Sequence, residues 1–273
     1  MATHGGAGHE SDTSLNPHSL YTQKWYESFQ DASYVSAKVL LRHFFSSYRP
    51  TSMIDIGAGI GLFLTVAKES GVVDLLGIEG DWVKGIHNPS IKFIYQNLEE
   101  PLVIDKRYDT VLCLEVAEHL SPGRADTFVD DICKASSGVI IFGAAMPFQG
   151  GAHHVNEQDP SYWIQKFAEH DYECIDFFRA RLWKEPLALT WHAQNTFLYI
   201  KKDDPRRGLF CNQPLYDVYH PLFTLNSDVL KRHNIVYEDF IGARVAVRAL
   251  LSRARRGATK VFHRLMSSLS RLT

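Results

Sequence analysis

The sequence has little of several features that mark other classes of protein. Its 273 residues contain four cysteines and no CxxC pair, which argues against a disulfide framework and a structural zinc site. No apolar run approaches the length that a membrane span requires. The polar N-terminus, residues 1–17, lacks the apolar core of a secretory signal. We therefore expect a disordered leader there and a reduced, cytoplasmic setting for the chain.

Acidic residues are missing altogether after Asp239. The eight Lys and Arg of that stretch give it a charge of +8, and they leave the rest with 21 basic against 31 acidic residues, a charge of −10. Apolar residues recur there every three or four positions, which predicts a basic amphipathic helical tail over residues 241–273. Three interpretations of this tail stay open. It can pack on the domain with its basic face in solvent, or it can bind peripherally to the anionic inner face of a membrane. It can also contact nucleic acid.

Strand-like and helical patterns alternate from residue 35 to residue 201. The predicted helices cover 35–48, 62–70, 125–134 and 161–170, and the predicted strands cover 52–56, 73–78, 91–95, 109–114, 138–142 and 196–200. This alternation predicts an α/β domain over residues 18–201, with a mostly parallel sheet flanked by helices. Ligands of such sheets bind at the carboxyl ends of the strands. Residues 202–240 are predicted to be a linker with an aromatic and proline-rich segment.

A glycine loop follows the first predicted strand. Gly57, Gly59 and Gly61 allow a ligand to approach the backbone closely, and the helix that begins after them favours negative charge. A dinucleotide-binding fingerprint requires its third glycine one place later, where this chain has Leu62. Asp55, inside the strand, can hold an ammonium group through bridging water, which S-adenosylmethionine (SAM) has and NAD lacks. The loop therefore favours SAM.

Two further strand ends fit the same cofactor. Glu79 ends the second strand, 22 residues after Gly57, at the spacing of a carboxylate that accepts both ribose hydroxyls. Asn97 and Leu98 follow the third strand, where a side-chain amide can meet the adenine amino group. The alternative is a Rossmann-like domain that binds another nucleotide or none.

Residues 20–201 resemble a class I SAM-dependent methyltransferase, and within that superfamily the bacterial methyltransferases encoded among polysaccharide and glycan biosynthesis genes. The matching segments are residues 36–37, 55–59, 77–81, 114–120, 147–151, 154–158, 162–163 and 193–196. Asn97 is a departure, because such proteins more often carry Asp there. The resemblance implies a Rossmann-like fold, SAM as methyl donor, and a hydroxyl of a sugar, glycan or related small molecule as acceptor. Gly80 and Glu115 complete the predicted cofactor-binding residues.

A second set of polar residues follows the fourth and fifth strands. Glu115, Glu118 and His119 share one turn, and His154 lies beyond the next strand. Carboxylates suit Mg²⁺, and an added imidazole suits Mn²⁺ or iron as well. An ion held by these four residues can bind two neighbouring hydroxyls and lower the pKa of one. The motif is similar to that of the RNA 2′-O-methyltransferases that modify the 3′ end of small RNAs.

That similarity implies a second candidate, a metal-dependent RNA ribose 2′-O-methyltransferase. Three roles stay open for the residues themselves: metal ligands, a metal-free general base at His119 or His154, or structural support. A candidate from another class is a non-catalytic SAM- or nucleotide-binding module of a glycan-assembly complex.

Overall fold

The computed structural model describes residues 23–147 and 149–210, with side chains from residue 30 onward, and these residues belong to one compact unit. The helices are α1 Gln23–Ser47, α2 Leu62–Glu69, α3 Ala125–Ala135, α4 Pro160–Ala168, α5 Arg179–Leu182 and α6 Thr190–Asn195. The strands are β1 Ser52–Ile56, β2 Asp74–Glu79, β3 Lys92–Tyr95, β4 Tyr108–Leu114, β5 Ser136–Gly143, β6 Tyr172–Ile175 and β7 Phe197–Lys201. The predicted leader and basic tail lie outside the described residues.

All seven strands form one sheet in the order β3-β2-β1-β4-β5-β7-β6. Neighbours from β3 to β5 pair in parallel, whereas β7 runs antiparallel to β5 and β6. The order reverses between β1 and β4, which is the point where ligands bind in open α/β sheets. The predicted α/β fold with a mostly parallel sheet is confirmed.

Both faces of the sheet are buried, as a parallel sheet requires. Neighbouring residues of β1 point to opposite faces, so Ile54 packs in one core and Met53 in the other. The Ile54 core includes Phe128 of α3 and Phe167 of α4, and the Met53 core includes Phe44 of α1. No described helix is both long enough and apolar enough to cross a membrane.

The chain stays packed on the sheet beyond β7, where the sequence predicts a linker from residue 202. Arg206 pairs with Asp204 and donates hydrogen bonds to the Tyr48 hydroxyl and the Ser137 carbonyl. The Phe210 ring is buried and stacks on Phe44 at a centroid distance of 6.1 Å. Residues 202–210 are therefore part of the packed unit, because these polar and aromatic side chains have partners on it. The linker and tail beyond residue 210 stay predictions.

Candidate functional site

The loop after β1 has a backbone that only glycine adopts readily. Gly57, Gly59 and Gly61 have φ angles of 80°, 53° and 81°. A Cβ at Gly57 would lie 2.2 Å from Cγ2 of Val116. The Gly57 N–H donates to the Ile78 carbonyl at 2.8 Å, which holds the loop against the end of β2. The loop therefore lies at the carboxyl edge of the sheet, beside the residues that follow β2 and β4.

Glu79 ends β2 and is buried beneath this loop. Its Oε2 accepts the Gly59 N–H and its Oε1 accepts the Gly80 N–H, both at 2.8 Å. Burial raises the pKa of Glu79, and the two N–H donors oppose that rise. Each carboxylate oxygen keeps a further lone pair, so the group can accept hydrogen bonds from two hydroxyls.

Asp55 is a buried carboxyl group in β1, with 3% of its surface exposed. No side chain or backbone N–H of the described residues donates a hydrogen bond to it. Burial raises its pKa well above the ordinary value, and the nearby charge of Glu79 raises it further. Asp55 therefore favours a positively charged ligand, whose approach would stabilise the ionised carboxylate.

The loop after β3 is fixed beside Glu79, because the Gln96 N–H donates to the Glu79 carbonyl at 3.0 Å. Asn97 is exposed, and its Oδ1 accepts the Glu99 N–H at 3.1 Å. Leu98 is buried in the core. The two predicted adenine contacts thus lie next to the predicted ribose contact, and the Nδ2 group of Asn97 remains a donor for a ligand.

Arg124, which belongs to no motif of the sequence, binds the backbone of this loop. Its Nε donates to the Leu98 carbonyl at 3.0 Å, and its Nη2 donates to the Glu100 carbonyl at 2.9 Å. The guanidinium is 5% exposed and pairs with Asp131 at 2.5 Å. A buried arginine that binds two carbonyls of one loop fixes that loop's backbone.

Glu118, His119 and His154 come together beyond β4 and β5. Each offers one ligand atom, and the three atoms lie within 4.8 Å of one another. Glu118 is fully buried, and neither carboxylate oxygen has a hydrogen-bond partner among the described residues. Burial raises its pKa well above the ordinary value, and the charge of Glu115 adds to that rise. Burial, together with His154, lowers the pKa of His119 to about 4, so its imidazole is neutral at pH 7.

His154 is oriented by a carboxylate. Its Nδ1 lies 2.8 Å from Oε1 of Glu157, which also accepts the Gly150 N–H at 2.8 Å. Its Nε2 has room because residue 151 is glycine, whose Cβ, if present, would lie 2.2 Å from that atom. A carboxylate on one ring nitrogen that leaves the other nitrogen for a ligand is the usual surrounding of a metal-binding histidine.

The structure does not bring Glu115 into the group of three. Its Oε1 accepts a hydrogen bond from Nδ2 of Asn195 and its Oε2 accepts one from Nε2 of Gln149, both at 2.7 Å. The backbone of Glu115 is left-handed, with a φ of 57°. Three of the four residues predicted as metal ligands therefore lie together, while the two amides hold the Glu115 carboxylate in a separate cluster.

The loop after β5 is attached to the same turn by its backbone. The N–H groups of Val155 and Asn156 both donate to the Glu118 carbonyl, at 2.9 and 3.0 Å. Glu118 therefore presents its side chain to the two imidazoles while its carbonyl holds the loop that carries His154.

No family model matches the sequence, and no curated protein is significantly similar to it. Among solved structures, a sugar N-methyltransferase from Streptoalloteichus superposes with a TM-score of 0.52 at 11% identity, covering 74% of this chain and all of that one. A candidate O-methyltransferase from Nostoc punctiforme gives a TM-score of 0.50 at 12% identity, covering 65% and 59%. Human N-acetylserotonin methyltransferase, crystallised with SAM, gives 0.49 at 13% identity, and the match spans 65% of this chain and 55% of the human one. The chain has the Rossmann-like fold of SAM-dependent methyltransferases.

Proposed function

We propose that the protein is a SAM-dependent O-methyltransferase that acts on a hydroxyl of a sugar, glycan or related small molecule, assisted by Mg²⁺ or Mn²⁺. The observation that carries this proposal is a juxtaposition at the carboxyl edge of the sheet. A glycine loop with two buried carboxyl groups, Asp55 and Glu79, lies beside a group of metal-ligand type, Glu118 with His119 and His154. The glycine loop with Asp55 and Glu79 suits a cationic nucleoside, and the group of Glu118, His119 and His154 suits a divalent ion.

The residues present fit SAM. Glu79 has two acceptor oxygens for the ribose hydroxyls, and the loop of residues 96–98 lies next to it for the adenine. Asp55 is a buried carboxyl group without a hydrogen bond from the described residues, which suits the ammonium of the methionine part. SAM supplies a methyl group that its sulfonium charge already activates for transfer.

The residues present also fit a divalent ion. The Glu118 carboxylate is buried and unpartnered among the described residues, and burying such a charge is costly unless a cation binds it. Two imidazoles lie within reach of it, one of them oriented by Glu157. One carboxylate and two imidazoles can hold a divalent ion such as Mn²⁺ or Fe²⁺, and three protein ligands leave coordination positions for a substrate.

The chain's own contribution to the reaction is to position an oxygen nucleophile and to accept its proton. In the metal-free alternative His119, which is neutral at pH 7, accepts the proton of the acceptor hydroxyl, and His154 is the second candidate for that role. Fixing the nucleophile in line with the methyl group removes the orientational entropy of a bimolecular step.

Calorimetric titration with S-adenosylhomocysteine and with NAD tests the cofactor. We expect binding of the first and not the second, and the reverse would overturn the methyltransferase proposal. Transfer of labelled methyl groups from SAM into methyl glycosides, sugar nucleotides and RNA then tests the acceptor. Loss of activity after EDTA treatment, with recovery on adding Mn²⁺, is expected; full activity in EDTA would remove the metal from the proposal.

A metal-dependent RNA ribose 2′-O-methyltransferase is the second candidate, and the group formed by Glu118, His119 and His154 favours it. The 3′-terminal ribose of an RNA also presents two neighbouring hydroxyls to an ion. The formal charge of −10 on residues 1–239 opposes it, because a long polyanion would be repelled. Methyl transfer to RNA but to no glycoside would establish this candidate.

We further propose that residues 241–273 attach the protein to an anionic membrane surface, the cytoplasmic face being the expected location. Eight basic residues without an acidic one, interleaved with apolar residues, support this proposal.

A further inference from the structure

We propose that Glu115, Gln149 and Asn195 form a binding site for the hydroxyl groups of the acceptor, separate from the group formed by Glu118, His119 and His154. We call these three residues the Glu115 cluster. This inference rests on the proposed function and deepens it, because it assigns a recognition site to the hydroxyl-bearing substrate.

The hydrogen bonds of the Glu115 cluster leave no freedom in how its amides point. In its ionised form the Glu115 carboxylate can only accept, so Asn195 and Gln149 turn their NH₂ groups toward it, at 2.7 Å in each case. The second hydrogen of Asn195 Nδ2 is donated to Oε1 of Gln149 at 2.8 Å. Flipping either amide would bring two oxygen acceptors together, so the orientation follows from chemistry.

This orientation leaves a set of free acceptors. Asn195 is 2% exposed, and its Oδ1 has no hydrogen-bond partner among the described residues. Each Glu115 oxygen accepts one amide bond and keeps a lone pair for another. A buried acceptor left unsatisfied costs free energy, so the cluster favours a ligand that brings hydrogen-bond donors.

The backbone of Glu115 supports a functional role. Its φ of 57° is unusual for a residue with a side chain, and such conformations concentrate at ligand-binding sites. Its N–H donates to the Gly143 carbonyl at 2.8 Å, which fixes the residue at the ends of β4 and β5. The left-handed turn thus occurs where the sheet presents its ligand-binding edge.

The Glu115 cluster is close to the proposed reaction centre without being part of it. Gln149 of the cluster precedes Gly150, whose N–H donates to Oε1 of Glu157 at 2.8 Å, and the same oxygen lies 2.8 Å from Nδ1 of His154. A sugar presents hydroxyls on adjacent carbons. One hydroxyl can be activated at the group formed by Glu118, His119 and His154, while the neighbouring hydroxyls donate hydrogen bonds to Glu115 and Asn195.

The test uses the full chain with labelled SAM and the methyl glycosides of glucose, mannose and galactose, each with its monodeoxy analogues. The wild type is expected to use at least one glycoside about tenfold better, in kcat/KM, than the analogue that lacks the recognised hydroxyl. Asn195→Ala is expected to raise the KM for that glycoside about tenfold and to reduce the preference to within about twofold. Glu115→Gln is expected to do the same, because it replaces an acceptor oxygen by a donor.

Gln194→Ala is the matched control. Gln194 is fully buried on the same helix, α6, and its Nε2 lies 2.8 Å from Sδ of Met146, outside the Glu115 cluster. We expect this variant to keep the wild-type preference between glycoside and deoxy analogue, whatever its melting temperature. Far-UV circular dichroism verifies that each variant is folded, and affinity for S-adenosylhomocysteine is measured separately for all of them.

Two results would overturn the inference while the proposed function stands. One is a wild-type preference for the glycoside that Asn195→Ala leaves unchanged. The other is a loss confined to S-adenosylhomocysteine binding, which would assign the Glu115 cluster to the cofactor's ammonium group. A wild type that binds S-adenosylhomocysteine but methylates only amines would overturn the acceptor class, and with it this inference. A wild type that binds no S-adenosylhomocysteine refutes the proposed function itself.

Discussion

Asp55, Glu79, Glu115 and Glu118 place four carboxyl groups at the carboxyl edge of one sheet, and burial raises the pKa of each. Bringing acidic groups together in a poorly solvated region opposes their ionisation and costs stability at neutral pH. A sulfonium cofactor and a divalent cation would offset that cost. Ligand binding should therefore stabilise this protein more than the number of new contacts suggests.

Asp55→Asn tests this relation at one position. The pKa of Asp55 in the folded state lies above its ordinary value of 3.8, so the folded state binds more protons than the unfolded state. The free energy of unfolding therefore falls as the pH rises from about 3.8 through the folded-state pKa. Asparagine at this position does not ionise, so the variant does not lose this part of its stability as the pH rises. The SAM-free variant should therefore resist urea better than the wild type at pH 7, and the advantage should disappear near pH 4. Equal stability at pH 7 would contradict the prediction.

The same substitution should weaken cofactor binding through one part of the ligand only. We expect about tenfold weaker binding of S-adenosylhomocysteine, because the ammonium loses its carboxylate partner. Binding of 5′-methylthioadenosine, which lacks the amino-acid part, should stay within about twofold. Equal losses for both compounds would place Asp55 elsewhere than at the ammonium.

Glu157→Gln should weaken Mn²⁺ binding by about 10–100-fold, because the amide orients His154 less firmly and leaves its imidazole less basic. Calorimetric titration of Mn²⁺ into the EDTA-treated protein measures the effect. The control is Glu185→Gln, since Glu185 makes a pair of the same 2.8 Å length with His43 away from the candidate site. Mn²⁺ binding that is the same in both variants would argue against a metal at His154.

At the scale of elements, Arg124 connects the start of α3 to the loop after β3. Arg124→Met should free that loop and so weaken the selection of the purine base. We expect the ratio of affinities for S-adenosylhomocysteine and S-inosylhomocysteine to fall about fivefold to tenfold, measured by calorimetry. The control is Arg179→Met, which removes an equally buried arginine that pairs with Asp176 next to β6. A ratio that falls equally in both variants would indicate general destabilisation.

Most elements could be predicted from the sequence. β1 is predicted at its observed bounds, and β2 to β5 within two residues, because the strands of a parallel sheet with covered faces are short, mostly apolar runs. The sequence does not predict β6, Tyr172–Ile175, because four residues with an acidic one among them give no strand pattern. The helices α5 and α6 span four and six residues, too few for helical periodicity to show.

The candidate site was predictable where its residues end a strand or come within a few positions of its end, as Glu79 and Glu118 do. Gln149, Glu157 and Asn195 were within or beside segments that carry the resemblance, but their roles depend on the sheet order. Asn195 reaches Glu115 because β7 inserts antiparallel beside β5, which brings residues 80 positions apart into contact. No local pattern encodes that pairing, because strand direction at a sheet edge is decided by tertiary packing.

Across the whole chain, residues 1–239, the acidic body, repel an anionic surface, whereas residues 241–273, the basic tail, are attracted to it. The full chain should float with vesicles that contain phosphatidylserine and should detach as the salt concentration rises from about 50 to about 500 mM. Replacing Arg253, Arg255 and Arg256 by Ser should weaken binding more than 100-fold, at about 1 kcal/mol per basic residue.

The control replaces three exposed lysines of the body, Lys84, Lys92 and Lys202, by Ser. This variant has the same change in net charge and should bind vesicles like the wild type. Equal loss in both variants, or equal binding to neutral phosphatidylcholine vesicles, would contradict attachment through the tail.

The loop between β5 and α4 is fastened near both of its ends by backbone hydrogen bonds. The Gln158 N–H donates to the Ala145 carbonyl at 3.3 Å, and Val155 and Asn156 donate to Glu118. None of these bonds depends on the side chains of the residues between. The backbone path of this segment is therefore independent of most of its side chains. Its positions other than Gln149, His154 and Glu157 can be randomised, and we expect such variants to change which acceptor is recognised while the backbone hydrogen bonds at its ends remain.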